Sequence, residues 1–319
     1  MYCIFVQYIP IFFMQTVHVS LAHTLAGHQN PIFALESGRD SAILFTAGND
    51  KGIVEWDLHT GKFKRVLCAV PASVYTLCLL ADGNTLVAGL RNGEVWLIDV
   101  EKQALLKKLK VDQGAVFAIQ ELVQKQELLA IGEEGVAYVW SLETLELLYR
   151  FKVSNTTVRC IACYPNQQQL LFGDKAGKLY QYDIAEFREI NNQAIHSMPV
   201  TAILTTETHV FTGGRDAQLY KLAPQDLAVQ KGITPHLFTV YGIVKHPEAE
   251  LLTTVSRDKS IKFWDPQSLA LLKTVSLDKG FDCHRLSINA AIYHPHSKQL
   301  ITVADDKLVK VWDVALKPS

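Results

Sequence analysis

Residues 27–57 read GHQNPIFALESGRDSAILFTAGNDKGIVEWD. The stretch opens on Gly27-His28, closes on Trp56-Asp57, and carries short apolar runs such as Ile32-Phe-Ala-Leu35 between turn residues. Short apolar runs divided by Gly, Asn, Asp and Pro, with no long 3.6-residue period, read as β-strands. The closing dipeptide has counterparts at Ile98-Asp99, Trp140-Ser141, Tyr182-Asp183, Leu222-Ala223, Trp264-Asp265 and Trp312-Asp313, at steps of 42, 42, 42, 40, 42 and 48 residues. The branched anchor at Ile32 recurs in phase at Val74, Val116, Val158, Val200, Val240 and Ile288. Seven units of about 42 residues, each holding four short strands, match the blades of a propeller.

Composition agrees with a folded chain and narrows the function. The protein has 319 residues, 31 Lys+Arg against 32 Asp+Glu, 49% hydrophobic and 20% charged residues. A net charge of −1 excludes a strongly basic nucleic-acid binder and an acidic disordered tail. Six Cys at no regular spacing argue for reduced thiols rather than a disulfide scaffold. No apolar run reaches the roughly 18 residues of a membrane span. The first thirteen residues, MYCIFVQYIPIFF, are apolar, lack Lys and Arg, and contain Pro10. Three readings stay open for them: an upstream extension with Met14 as the start, a weak signal or anchor, or an apolar arm on the body.

Three residue types appear together in units 1, 5, 6 and 7. A histidine four residues before the branched anchor (His28, His196, His236, His284) accompanies a threonine (Thr46, Thr212, Thr254, Thr302) and an aspartate (Asp50, Asp216, Asp258, Asp306). Units 2, 3 and 4 lack all three. Joint presence and joint absence is the behaviour of one hydrogen-bonded unit, in which Asp accepts from the imidazole and the other ring nitrogen accepts from the hydroxyl. Four equivalent copies argue against a catalytic triad, which would need one exceptional copy.

With Gly27-His28 and Trp56-Asp57 as its signature dipeptides, the sequence resembles the WD-repeat β-propeller family over about residues 15–316. The resemblance implies an all-β, seven-bladed propeller of four-stranded antiparallel blades. It also implies that the His, Thr and Asp positions form the family's structural tetrads, with Trp56, Trp264 and Trp312 as fourth members and Leu222 leaving unit 5 one short. The domain expected is a single propeller over 14–316, after a leader at 1–13. Its blade cores fall at about 28–62, 70–103, 112–146, 154–187, 196–227, 236–269 and 284–316. Unit 7 ends after its third strand, and the alternating segment Thr16-Val17-His18-Val19-Ser20-Leu21 is spare. An N-terminal strand over 16–22 is therefore expected to complete blade 7 and remove the open edge.

Two further motifs favour structural readings. Cys160-x-x-Cys163 sits on a strand, where positions i and i+3 face opposite ways, and no second Cys pair follows. His294-Pro-His296 lies in a turn without further ligands in sequence. No catalytic residue, metal site or cofactor is expected.

The resemblance places a frequent partner site on the face carrying the turns between second and third strands. Two positions per repeat point there. The first follows the branched anchor: Phe33, Tyr75, Phe117, Arg159, Thr201, Tyr241 and Asn289. The second precedes the aspartate position: Asn49, Arg91, Glu133, Lys175, Arg215, Arg257 and Asp305. These fourteen positions hold four aromatics, five cations and two acids, a local charge of +3 on a chain of −1. Aromatic and arginine residues at a concave rim have the composition of a binding hot spot. The leading expectation is a cytoplasmic, non-enzymatic scaffold that binds a protein or peptide partner, with a preference for acidic residues. The alternatives are a propeller hydrolase or lyase with its site in the central channel, and a polyanion or nucleic-acid binder; the balanced charge disfavours the last.

Overall fold

The computed structural model describes residues 15–318, and the segment 1–13 with its three readings lies outside them. The described residues form seven four-stranded antiparallel sheets. In blade 1 the strands are Ile32–Ser37, Ile43–Gly48, Gly52–Asp57 and Lys62–Ala69, hydrogen-bonded in chain order. Blades 2 to 6 repeat that order, beginning with the strands Val74–Leu79, Val116–Leu122, Val158–Cys163, Val200–Thr205 and Val240–Lys245. The first strand of each blade touches the first strand of the next, and Ile288–Tyr293 of blade 7 touches Ile32–Ser37, so the ring is closed. This is the seven-bladed propeller that the repeat predicts.

The apolar runs decide which strands are buried. Thr85–Leu90 and Glu127–Gly132, the second strands of blades 2 and 3, are buried at every position. Each is covered on both faces by neighbouring blades, so beyond its first residue, Thr85 or Glu127, its sequence is apolar rather than alternating. The outer strands Ala104–Lys110 and Glu189–Ala194 face solvent almost throughout and are correspondingly polar or mixed. The core is a series of clusters between adjacent blades; one joins Phe45 and Ile53 of blade 1 to Leu86 and Trp96 of blade 2.

Blade 7 is completed as expected. Its strands are Ile288–Tyr293, Leu300–Ala304 and Leu308–Pro318, and the fourth is the N-terminal strand Gln15–Ala26. Pairing runs from Gln15 opposite Pro318 to Ala26 opposite Leu308. At 12 residues the closing strand outruns its short alternating segment, because the ladder resumes after a register shift between Leu21 and His23. Val17 packs into the cluster of blades 6 and 7, and Leu25 into the cluster of blades 7 and 1.

Candidate partner-binding face

Every innermost strand carries the same irregularity. The register shifts between Ile32 and Ala34, Val74 and Thr76, Val116 and Ala118, Val158 and Cys160, Val200 and Ala202, Val240 and Gly242, and Ile288 and Ala290. The residue inside each shift is the first rim position: Phe33, Tyr75, Phe117, Arg159, Thr201, Tyr241 or Asn289. A β-bulge bends its strand and re-aims one side chain, and here it does so seven times around one axis. In blades 1 and 3 a glycine of the partner strand approaches the bulge closely. A Cβ at Gly48 would lie 2.1 Å from the Pro31 carbonyl oxygen, and one at Gly132 would lie 1.8 Å from that of Ala115.

These seven residues, with Asp305, line a central cavity of about 490 Å³. Its wall is not uniform. Phe33, Tyr75 and Phe117 of blades 1 to 3 form an aromatic arc, with ring centroids 5.6 Å apart for the first pair and 5.1 Å for the stacked second pair. The Arg159 guanidinium ends the arc 4.7 Å from the centre of the Phe117 ring. Beyond it, Arg159, Lys175, Arg215 and Arg257 of blades 4 to 6 surround a second hollow of about 300 Å³, together with Thr201 and Tyr241. All four cations are exposed, and none forms an ion pair or side-chain hydrogen bond among the described residues.

Of the other rim positions, Asn49, Arg91 and Glu133 line neither cavity. Arg91 is exposed. The Asn49 side-chain oxygen accepts from the Ser73 hydroxyl at 2.7 Å, and the Glu133 carboxylate accepts from the Ala115 amide at 3.0 Å. Asp305 accepts from the Asn289 amide at 2.7 Å, and Asn289 also donates to the Ile32 carbonyl across the junction of blades 7 and 1. The two acids of the rim are thus occupied by local hydrogen bonds.

The His, Thr and Asp residues grouped from sequence meet in space. In blade 6, His236 Nδ1 lies 2.9 Å from Asp258 and His236 Nε2 lies 2.8 Å from the Thr254 hydroxyl. The Trp264 indole donates to the same hydroxyl at 2.9 Å. An ionised carboxylate only accepts, so the imidazole proton sits on Nδ1, Nε2 accepts from Thr254, and Thr254 accepts from Trp264. Blades 1 and 7 repeat the arrangement with His28, Thr46, Asp50 and Trp56, and with His284, Thr302, Asp306 and Trp312. In blade 5, His196 reaches Asp216 at 2.9 Å and Thr212 at 3.0 Å, without an indole. Burial holds His196 and His236 below the ordinary histidine range against the pull of their aspartates. Burial also works to raise the Asp258 carboxyl, but hydrogen bonds from His236 and Ser260 outweigh it and keep it well below the usual carboxylate range.

One network escapes the sequence pattern. Blade 4 has Ser154 at the histidine position and Ala176 at the aspartate position. Asp174, two residues upstream and 1% exposed, nevertheless accepts from the Ser154 hydroxyl at 2.7 Å and the Tyr180 hydroxyl at 3.1 Å. His294 and Cys160, from the two motifs given structural readings, are held by local bonds. His294 is fully buried, bonds the Ile43 carbonyl through Nε2, and accepts the His296 and Ser297 amides through Nδ1. The Cys160 thiol is pushed up to about 12 by burial and donates to backbone carbonyls. Among the described residues no group of three or more His, Cys, Asp or Glu could hold a metal ion, and no helix is long and apolar enough to cross a membrane.

Comparison with known proteins agrees with this architecture. The family model described as WD domain, G-beta repeat matches residues 19–57, 228–265 and 275–313. The bovine (Bos taurus) protein named target of rapamycin complex subunit LST8 is 23% identical over 263 residues, covering 75% of this chain and 77% of that protein. The WD repeat-containing protein 55 homologs of Aedes aegypti and Drosophila persimilis are 22% and 23% identical over 249 and 250 residues. Those matches cover 77% of this chain but only 53% and 49% of the relatives, so the chain spans about half their length. The seven-fold repeat, the closed ring of four-stranded blades and these matches make the chain similar to WD-repeat proteins in sequence pattern and fold.

Proposed function

We propose that the protein is a non-enzymatic interaction module that binds a protein or peptide partner on the face carrying the bulged rim. The observation that carries this reading is the joint between the aromatic arc and the cation-lined hollow. Large rings and unpaired guanidinium groups there converge on a concave, solvent-open surface. Aromatic residues and arginine supply most hot-spot energy in protein interfaces. The bovine relative is named as a subunit of a complex, which accords with such a role. A channel enzyme is less well supported, since the acids at the rim, Glu133 and Asp305, are held by the Ala115 amide and by Asn289.

Affinity capture with mass spectrometry, comparing the parent with a Tyr75→Ala/Arg91→Ala/Arg257→Ala variant, tests the reading. A specific protein partner that the parent retains and the variant loses is the expected result. Absence of any specific partner, or equal recovery by both, would overturn it.

A further inference from the structure

The cationic hollow has an apolar border. Met198, Leu237, Phe238 and Leu286 are exposed at 40%, 83%, 54% and 47%, in loops that lead into blades 5, 6 and 7. Backbone bonds tie these loops to the rim. The Arg215 amide donates to the Pro199 carbonyl, the Arg257 amide to that of Thr239, and the Asp305 amide to that of Ser287. Each acceptor directly follows an exposed apolar residue, so Met198, Phe238 and Leu286 stand beside Arg215, Arg257 and Asp305 respectively. The Arg257 guanidinium lies 5.8 Å from the centre of the Phe238 ring. Solvent-facing apolar side chains recur on consecutive blades, and those of blades 5 and 6 stand next to the unpaired Arg215 and Arg257, a composite surface of the kind that marks interaction sites.

Resting on the interaction reading above, we infer that this surface binds an extended peptide segment of a partner that carries adjacent Asp or Glu residues within a few positions of a large apolar side chain. The carboxylates enter the hollow beside Arg215 and Arg257, and the apolar side chain lies on Phe238 and its neighbours. The cations come from three successive blades and so present a row of separate forks. A row suits several single charges along a chain, and each guanidinium can hold one carboxylate through two hydrogen bonds. The apolar border and the chain's net charge of −1 favour a peptide over a nucleic acid, which would match cations but leave the border unfilled.

Selection of a random peptide library against the full protein, with counter-selection against Arg215→Glu/Arg257→Glu, tests the inference without a known ligand. The expected outcome is enrichment of sequences with two or more neighbouring acids and a nearby Leu, Ile, Phe or Met. A synthetic copy of the most enriched sequence should bind at least about tenfold more weakly to the Arg215→Glu/Arg257→Glu variant, the scale of losing a charge-assisted pair. Phe238→Ala should weaken that peptide several-fold and leave an Ala-substituted copy unaffected. Unchanged thermal unfolding of both variants shows that these exposed changes have not disturbed the fold. No enrichment, enrichment without acids, or binding that ignores both variants would overturn the inference. So would single-stranded DNA or a phosphorylated peptide binding the hollow while the carboxylate peptide does not. A partner lost in the affinity capture, combined with a non-acidic selection, would leave the interaction reading standing and remove this one alone.

Discussion

The His196 imidazole meets the Tyr220 ring edge-on, with centroids 4.9 Å apart, in the one blade that has the histidine, threonine and aspartate but no indole. Tyr220 pairs with Thr212 across the strands, at the register position held by Val54, Lys262 and Lys310 in the other three such blades. The ring flanks an imidazole whose threonine partner lacks the usual indole donor. Tyr220→Ala should therefore destabilise the protein by about 2 kcal/mol, below the value for a fully buried ring because Tyr220 is half-buried. Tyr220→Phe should be nearly neutral, since packing rather than the hydroxyl does the work. Urea unfolding of both variants checks this.

The blade 6 network behaves as a unit. His236→Ala should cost about 3 kcal/mol, the scale for breaking a buried network. Combined with Thr254→Val, it should cost less than the sum of the single changes by at least about 1 kcal/mol, because the residues share hydrogen bonds. Unchanged thermal unfolding in His236→Ala, or strict additivity in the cycle, would contradict a structural role.

Burial lowers His196, His236, His246 and His294 below their ordinary range. The unfolded chain therefore takes up protons that the folded chain resists. The stability these groups contribute is present above the unfolded value of about 6.5 and is lost as pH falls below it toward the depressed folded values. The urea midpoint should drop between pH 7.5 and 5.5. In His246→Asn, whose side chain can still accept the Glu248 and Ala249 amides, that drop should be smaller.

Glu36 shifts the other way. Burial pushes its carboxyl up to about 7 against the hydrogen bonds from Ser37. The folded state then holds a proton that the unfolded state has released. Glu36 favours folding below about pH 4.5 relative to higher pH, and its penalty grows as pH rises through 7. Glu36→Gln should accordingly gain stability relative to the parent on going from pH 5 to pH 8. A constant difference between the two across that range would show that the carboxyl titrates normally.

Removing residues 15–22 takes most of the fourth strand from blade 7 and exposes the edge of Leu308–Pro318. The truncated protein should unfold at lower temperature and with lower cooperativity, and should associate through the bared edge. Calorimetry and light scattering on the same sample would register both effects.

The repeat was legible because its signals are side chains at constant spacing: the Trp-Asp positions, the branched anchors, and the jointly present His28, Thr46 and Asp50 with their counterparts. Closure was legible because Thr16–Leu21 alternates while the last unit lacks a strand. The blade 4 network was not, because Asp174 serves it from a position two residues away from the repeating one. The bulges were hidden for another reason. They are backbone events, present opposite Leu90, Asp174, Ser256 and Ala304 as well as Gly48 and Gly132, and no side-chain period reports them. The gathering of Arg159, Lys175, Arg215 and Arg257 depends on the order of the blades, and for Arg159 on its bulge. Met198, Phe238 and Leu286 carry no pattern that separates an exposed apolar residue from a core one.

Thr16 and Lys317, neighbours across the closing ladder, are 301 residues apart in the chain. As the protein is synthesised, the first of the described strands has no partner until the last of them emerges. Blades 1 to 6 can each form from contiguous chain, but blade 7 needs strands from both ends of the described residues. Contacts of such long sequence separation form slowly, so ring closure should be the final and slowest step of folding. Until then Gln15–Ala26 is an unpaired strand, and a chaperone that shields such an edge would hold the nascent ring open without touching its finished blades.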